Sequence, residues 1–291
     1  MPEKIVRSGL LRIWTESFGD QNDPAVLLIA GASAQAIFWA DEFCCQLAAG
    51  GRFVIRYDSR DTGLSDSVDF AESPYTVNDL AADAVSVLDA YDIPEAHAVG
   101  VSGGGLVCQA LALDHRDRVI TISALLSSLL GTGSIDNPNG GYGDLPSPSP
   151  AFLEKLSEFF GKIPVERKPF IEWSLKKYRL ISGSLEPFDQ QAGTVQAGLE
   201  FDRARNLSSM NNHALAFAAS PKTPISRLND LDIETLVVHG TEDRLLPYGH
   251  GEALSQMIPG AHMITIEKMG HDLPRAAWSL VISAVLEHTS D

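Results

Sequence analysis

The chain has 291 residues, of which 44% are hydrophobic and 21% charged, with a formal net charge of −16. That supplies core enough for one large domain or a domain carrying an insertion, and too little charge bias for disorder. A surface this acidic repels nucleic-acid phosphates and anionic lipid head groups, so neither a nucleic-acid nor a membrane partner is expected.

The N-terminal MPEKIVRSGLLRIW lacks the apolar core and small-residue cleavage site of a signal peptide, and no apolar run reaches the ~18 residues of a membrane span. The three cysteines, Cys44, Cys45 and Cys108, match neither a disulfide framework nor metal-ligand spacing. The expectation is a cytoplasmic protein, monomer or homodimer, with no metal and no cofactor.

In chain order, AVLLIAG (25–31), RFVIRYD (52–58), AHAVGVS (96–102), VITISALL (119–126), ETLVVHG (234–240) and HMITIE (262–267) read as strands buried on both faces. Between the second and third, Leu80, Ala84, Val87, Leu88 and Tyr91 repeat at helical spacing, with Thr76 and Asp79 placed to cap the start. GGGLVCQALALDH, after Ser102, is apolar nearly all round, as a helix buried against a sheet should be. AAWSLVISAVLEH (276–288) predicts an amphipathic helix. Strand–helix alternation implies the α/β class, a mostly parallel sheet with helices on both faces.

The alternation breaks between residues 131 and 225. GTGSIDNPNGGYGDLPSPSP is loop-rich, and helix-like pieces follow it. The reading is a core of residues 1–130 and 226–291 with a mainly helical cap over 131–225. Phe159, Phe160, Phe170, Trp173, Tyr178 and Phe188 either pack that insertion onto the core or line a pocket.

Gly100-Val101-Ser102-Gly103-Gly104 matches G-x-S-x-G, placed between a buried strand and a buried helix. Such a turn exposes a nucleophile, and its glycines make room for a crowded backbone. A phosphate-binding loop fits less well, because no lysine or arginine lies between Gly100 and His115. A serine nucleophile needs a base, and the base needs an acid to orient it. LVVHGTEDRLLP puts Asp243 just past a strand, and ITIEKMGHDLP does the same for His271, in the chain order Ser, Asp, His. Asp243 is preferred to its neighbour Glu242, and Asp272 reads as a solvated loop charge. His239 and His213 read as structural histidines or pocket walls. Oxyanion donors are expected from the Gly103 N–H and, in IAGASAQAIFW, the Ala32 N–H. Trp39, at the end of that loop, is read as substrate-binding, with core packing as the alternative.

With YDSRDTGLSD (57–66) added, the motifs LLIAGASA, GVSGG, HGTEDRLLP and MGHDLP span the chain. Together they resemble the α/β-hydrolase fold serine esterases, including those that tailor polyketides. The resemblance implies an α/β-hydrolase fold and hydrolysis of a small-molecule carboxylic ester through an acyl-enzyme, without a cofactor. It places Ser102, Asp243 and His271 at the family's triad and Ala32 and Gly103 at its oxyanion donors.

Two features depart from that pattern. Gly103 stands where a larger residue is common, which leaves the pocket wall bare, and the likeness is weakest in the insertion. The reaction therefore carries over and the substrate does not. Arg60 and Asp61, in a loop near the expected catalytic face, are expected to brace that loop by ion pairing and not to act in catalysis. Dehalogenases and epoxide hydrolases of this fold need an aspartate where Ser102 stands. Lactone cleavage, carbon–carbon hydrolysis and perhydrolysis use the same triad, and a non-catalytic ligand receptor is the reading from another class.

Overall fold

The computed structural model describes residues 2–131, 145–159, 161, 163–220 and 225–290. Phe160 and most of the loop-rich stretch after residue 131 lie outside them.

The strands are β1 (Glu3–Ser8), β2 (Leu11–Phe18), β3 (Ala25–Ile29), β4 (Phe53–Tyr57), β5 (Ala96–Val101), β6 (Val119–Leu125), β7 (Glu234–Gly240) and β8 (His262–Ile266). They form an eight-stranded sheet in the order β1-β2-β4-β3-β5-β6-β7-β8. From β4 to β8 every pairing is parallel. β2 pairs antiparallel with both β1 and β4. The helices are α1 (Asp41–Ala49), α2 (Val77–Ala90), α3 (Gly103–Asp114), α4 (Pro150–Ser157), α5 (Arg167–Ile181), α6 (Gln190–Arg203), α7 (Asn212–Ala219), α8 (Ile225–Asn229), α9 (Gly249–Met257) and α10 (Arg275–His288).

Strand alternation divides the core between the two faces of the sheet. On β3, Leu27 and Ile29 join the cluster that contains Leu80 and Val87 of α2 and Val107 and Leu111 of α3. Val26 and Leu28 join the opposite cluster, with Phe43 and Leu47 of α1 and Val281 and Val285 of α10. Each such side chain, fully buried, contributes roughly 1.5–3 kcal/mol of transfer free energy. At the start of α2 the Thr76 backbone N–H and hydroxyl both donate to Asp79 Oδ2, at 2.8 and 2.9 Å. That acidic group also faces the positive end of the helix dipole.

One hairpin lies outside the expected strands, and one expectation needs correction. The β1–β2 hairpin gives no apolar run, because its buried positions include Thr15, Glu16 and Ser17. Glu16 can be buried there because Arg56 of β4 pairs with it at 2.5 Å. β8 is not buried on both faces. It is the edge strand, and among its residues only Ile266 is fully buried.

The helices α4 to α8 all lie between β6 and β7 in the chain. Among the described residues no helix is long and apolar enough to cross a membrane, and no cluster of three His, Cys, Asp or Glu could hold a metal ion.

Candidate active site

Ser102 sits between β5 and α3 with φ +53° and ψ −119°. For a residue with a Cβ this left-handed backbone costs on the order of 1–3 kcal/mol, and it persists only where the surroundings over-determine it. Here they do. The Ser102 N–H donates to Leu125 O at 2.8 Å, and Ser102 O accepts from Gly105 N at 2.9 Å and Ser127 Oγ at 2.8 Å. The turn closes tightly enough that a Cβ on Gly100 would overlap the Gly104 carbonyl, and one on Gly104 the Ile29 carbonyl.

From that turn the Ser102 hydroxyl lies 2.9 Å from His271 Nε2, and His271 Nδ1 lies 2.7 Å from Asp243 Oδ2. The two partners come from the turns after β8 and β7. Asp243 is held through its other oxygen, which accepts the Leu245 and Leu246 N–H groups at 2.9 and 2.8 Å. Burial pushes the Asp243 carboxyl up, but His271, His239 and the Leu246 N–H outweigh it and leave the group below the usual carboxylate range. An ionised carboxylate only accepts, so the imidazole proton belongs on Nδ1, and Nε2 is left to accept from Ser102. The His271 backbone is fixed by its N–H, which donates to Ile181 O at 2.8 Å.

The rival carboxylates are engaged elsewhere. Glu242 accepts from the Ser184 N–H and hydroxyl at 2.8 and 2.9 Å, and Asp272 accepts from Gly183 N at 3.4 Å. His239 is buried, donates from Nε2 to Leu246 O at 2.8 Å, and stands 3.5 Å from Asp243 Oδ2. It braces the turn that aims the Leu246 N–H at Asp243. His213 lies away from the serine, bonded to Ser33 and Arg60.

Ala32 and Gly103 both line the cavity above Ser102. The Gly103 N–H lies in the first turn of α3, where backbone donors lack a partner within the helix and the dipole is positive. The Ala32 N–H has no acceptor among the described residues. A Cβ on Gly103 would come within 2.9 Å of Ala32 N and of the Phe217 ring. The wall expected to be bare is therefore occupied by Phe217, from α7.

Trp39, read as substrate-binding, does not line the cavity. Its side chain is fully buried, stacked against Phe43 at 5.4 Å and edge-on to Phe38 at 5.3 Å, in the core between the sheet and α1. Its neighbour Phe38 faces the cavity instead. Arg60 and Asp61 brace their loop through separate partners. Arg60 bonds Asp83 at 2.6 Å, and Asp61 accepts the Tyr75 hydroxyl and the Val68 N–H, both at 2.7 Å.

The cavity has a volume of about 1200 Å³ and reaches from Ser102 and His271 to α5, α6 and α7. Phe170, Trp173, Tyr178 and Phe188 line it, while Phe159 packs behind Trp173 at 5.7 Å. Its walls are mainly apolar, with a polar patch that no sequence pattern signals. The Tyr178 hydroxyl donates to Glu200 Oε2 at 2.5 Å, Gln196 donates to Glu200 Oε1 at 3.1 Å, and the Lys177 ammonium sits 5.5 Å above the Trp173 ring. Burial lifts the Glu200 carboxyl above its ordinary range and lowers the Lys177 amine, as expected for charges withdrawn from water.

Comparison with known proteins agrees with this fold. The sequence profile of the alpha/beta hydrolase family matches residues 26–283. Rhodomycin D methylesterase DnrP of Streptomyces peucetius is 36% identical over 99% of this chain and 98% of its own length. Rhodomycin D methylesterase DauP of Streptomyces sp. (strain C5) is 36% identical with the same coverage, 99% and 98%. Among solved structures, an esterase from Exiguobacterium antarcticum superposes with a TM-score of 0.77 at 16% identity, covering 99% of both chains. The 2-hydroxy-6-oxo-6-phenylhexa-2,4-dienoate hydrolase from Rhodococcus sp. strain RHA1 gives 0.76 at 20% identity, covering 100% of this chain and 99% of that one. By its profile match and its full-length relatives, the chain belongs to the alpha/beta hydrolase family.

Proposed function

We propose that the protein is a carboxylic ester hydrolase in which Ser102 is the nucleophile, His271 the base and Asp243 the group that orients it. The observation that carries this reading is the unbroken hydrogen-bonded chain from Ser102 Oγ through His271 to Asp243, opening into a cavity of substrate size.

His271 Nε2 takes the hydroxyl proton as Ser102 Oγ attacks the ester carbonyl. The tetrahedral oxyanion is held by the Gly103 and Ala32 N–H groups, each such donor contributing about 3 kcal/mol to lowering the barrier. His271 then gives its proton to the departing alcohol. Water, activated by the same imidazole, releases the acid and restores Ser102.

Residues 131–225 act as the cap over a core made of 1–130 and 226–291. Both full-length relatives are named methylesterases, and we take the leaving alcohol here to be small. The acid side is large. At about 1200 Å³ the cavity exceeds the roughly 300–1000 Å³ of ordinary ligand pockets, and aromatic rings on the cap line it.

The test is a panel of esters varied separately in acyl and alcohol size, scored by kcat/KM for wild type and Ser102→Ala. Methyl esters of bulky aromatic acids are expected to be the best substrates, with turnover lost in Ser102→Ala. Turnover that survives Ser102→Ala would overturn the reading.

A further inference from the structure

The loop that carries Ala32 closes on itself through one turn bond, from the Ala34 N–H to Gly31 O at 3.1 Å, and is otherwise held from outside. Ser33, the next residue, has φ +62°, in the left-handed region that a serine occupies only under restraint. The restraints come from the helical segment between β6 and β7. The Ser33 N–H donates to His213 Nδ1 at 2.9 Å, and the Ser33 hydroxyl donates to Met210 O at 2.7 Å. Two residues on, Gln35 donates to Glu200 O at 2.7 Å.

The bonds of His213 leave no ambiguity about its proton. Its Nε2 lies 2.8 Å from the Arg60 carbonyl, which can only accept, so Nε2 carries the hydrogen. Nδ1 is then bare and accepts the Ser33 N–H. Burial lowers the His213 pKa, which favours this neutral form, although Asp61 and Asp83 act in the opposite direction. The ring is buried, and neither nitrogen faces Ser102.

We propose that His213 is a positioning residue for the oxyanion site: by holding the Ser33 N–H it fixes the peptide next to the Ala32 donor, so that the site is complete only when the cap is seated on the loop. The inference rests on the esterase reading above and adds to it a coupling between cap and chemistry. The cap shapes the cavity and also assembles one of the two oxyanion donors. A cap that lifts would carry His213 and Met210 away from Ser33 and leave the open enzyme poorly able to attack an ester.

The experiment compares His213→Gln, whose amide can make both bonds, with His213→Leu, which can make neither. His213→Phe serves as a second bond-less variant that keeps a ring, and thermal melts check that each is folded. Kinetics on a p-nitrophenyl ester are read with inhibition by a trifluoromethyl ketone, whose serine adduct places an oxyanion in the site, and by the carboxylic acid product, which does not. His213→Leu and His213→Phe are expected to lose 10- to 100-fold in kcat with KM within threefold. They should bind the ketone at least tenfold more weakly and the product unchanged, while His213→Gln stays within about threefold of wild type throughout.

Two results would overturn the proposal: bond-less variants that keep wild-type kcat and ketone affinity, or equal losses in all three variants carried by KM. Failure of the esterase reading looks different, as wild-type turnover that Ser102→Ala leaves intact.

Discussion

The ring of Phe217 stands where a side chain on Gly103 would have to go, 2.9 Å from the position of its Cβ, and Ala32 N is equally close on the other side. A residue next to Ser102 in sequence and a residue on α7 thus share one volume. Gly103→Met is expected to push Phe217 aside and crowd the Ala32 donor, lowering kcat/KM at least tenfold. Phe217→Ala on that background should recover part of the loss, because neighbours in contact couple by roughly 0.5–3 kcal/mol. A double-mutant cycle on kcat/KM measures the coupling, and strictly additive effects would refute it.

The hydrogen-bond pattern separates Asp243 from its neighbour. Asp243→Asn keeps the shape but can no longer hold His271 in the required tautomer, so kcat should fall about 10⁴-fold, and His271→Ala at least as far. Glu242 braces Ser184 instead. Glu242→Gln is therefore expected to leave kcat within a few-fold of wild type. The three variants assayed together on one ester decide the assignment.

Trp39 affects stability and not substrate choice. Replacing its fully buried ring by alanine should cost about 3–5 kcal/mol in urea unfolding. Trp39→Phe should cost far less, because the indole nitrogen has no acceptor among the described residues. Neither change should alter the order of preference across an ester panel. A reordering would return Trp39 to the substrate site.

Acid should weaken the fold before it protonates most carboxylates. His97 is buried against Thr121, and burial, with Arg52 and His288 nearby, lowers its pKa to about 4. Burial lowers His239 and His213 in the same direction. Between about pH 4 and the ordinary histidine value near 6.5, the unfolded chain binds more protons than the native one, so stability rises with pH across that window. It has its full value above that range and is lost on acidification, with His97 contributing on the order of 1–3 kcal/mol. Urea melts between pH 4.5 and 7.5 should show the slope, and His97→Gln should flatten it. A pH-independent midpoint would contradict the prediction.

Much of the site was legible from the sequence because its parts lie at strand ends. Parallel strands read as apolar runs, and Ser102, Asp243 and His271 each follow one within a few residues, even though β8 lies at the sheet edge. The helix over 77–90 was legible for a similarly local reason, its cap and its period. The β1–β2 hairpin was not, since its buried polar groups are satisfied by Arg56 and by other residues far along the chain. Nor was the partner of Arg60, which is Asp83 on α2.

Strand–helix order and the placing of Ser102, Asp243 and His271 just past strands could be read from local periodicity and turn chemistry alone. Three-dimensional packing put Trp39 in the core and Phe38 on the cavity, set Phe217 beside Gly103, brought Glu200 and Lys177 into the cavity lining, and joined His213 to Ser33 on the loop that carries Ala32. The Phe217–Gly103 and His213–Ser33 contacts join residues more than a hundred positions apart in the chain. They are set by which faces can be buried together and which polar groups must be paired there, and no local pattern records that.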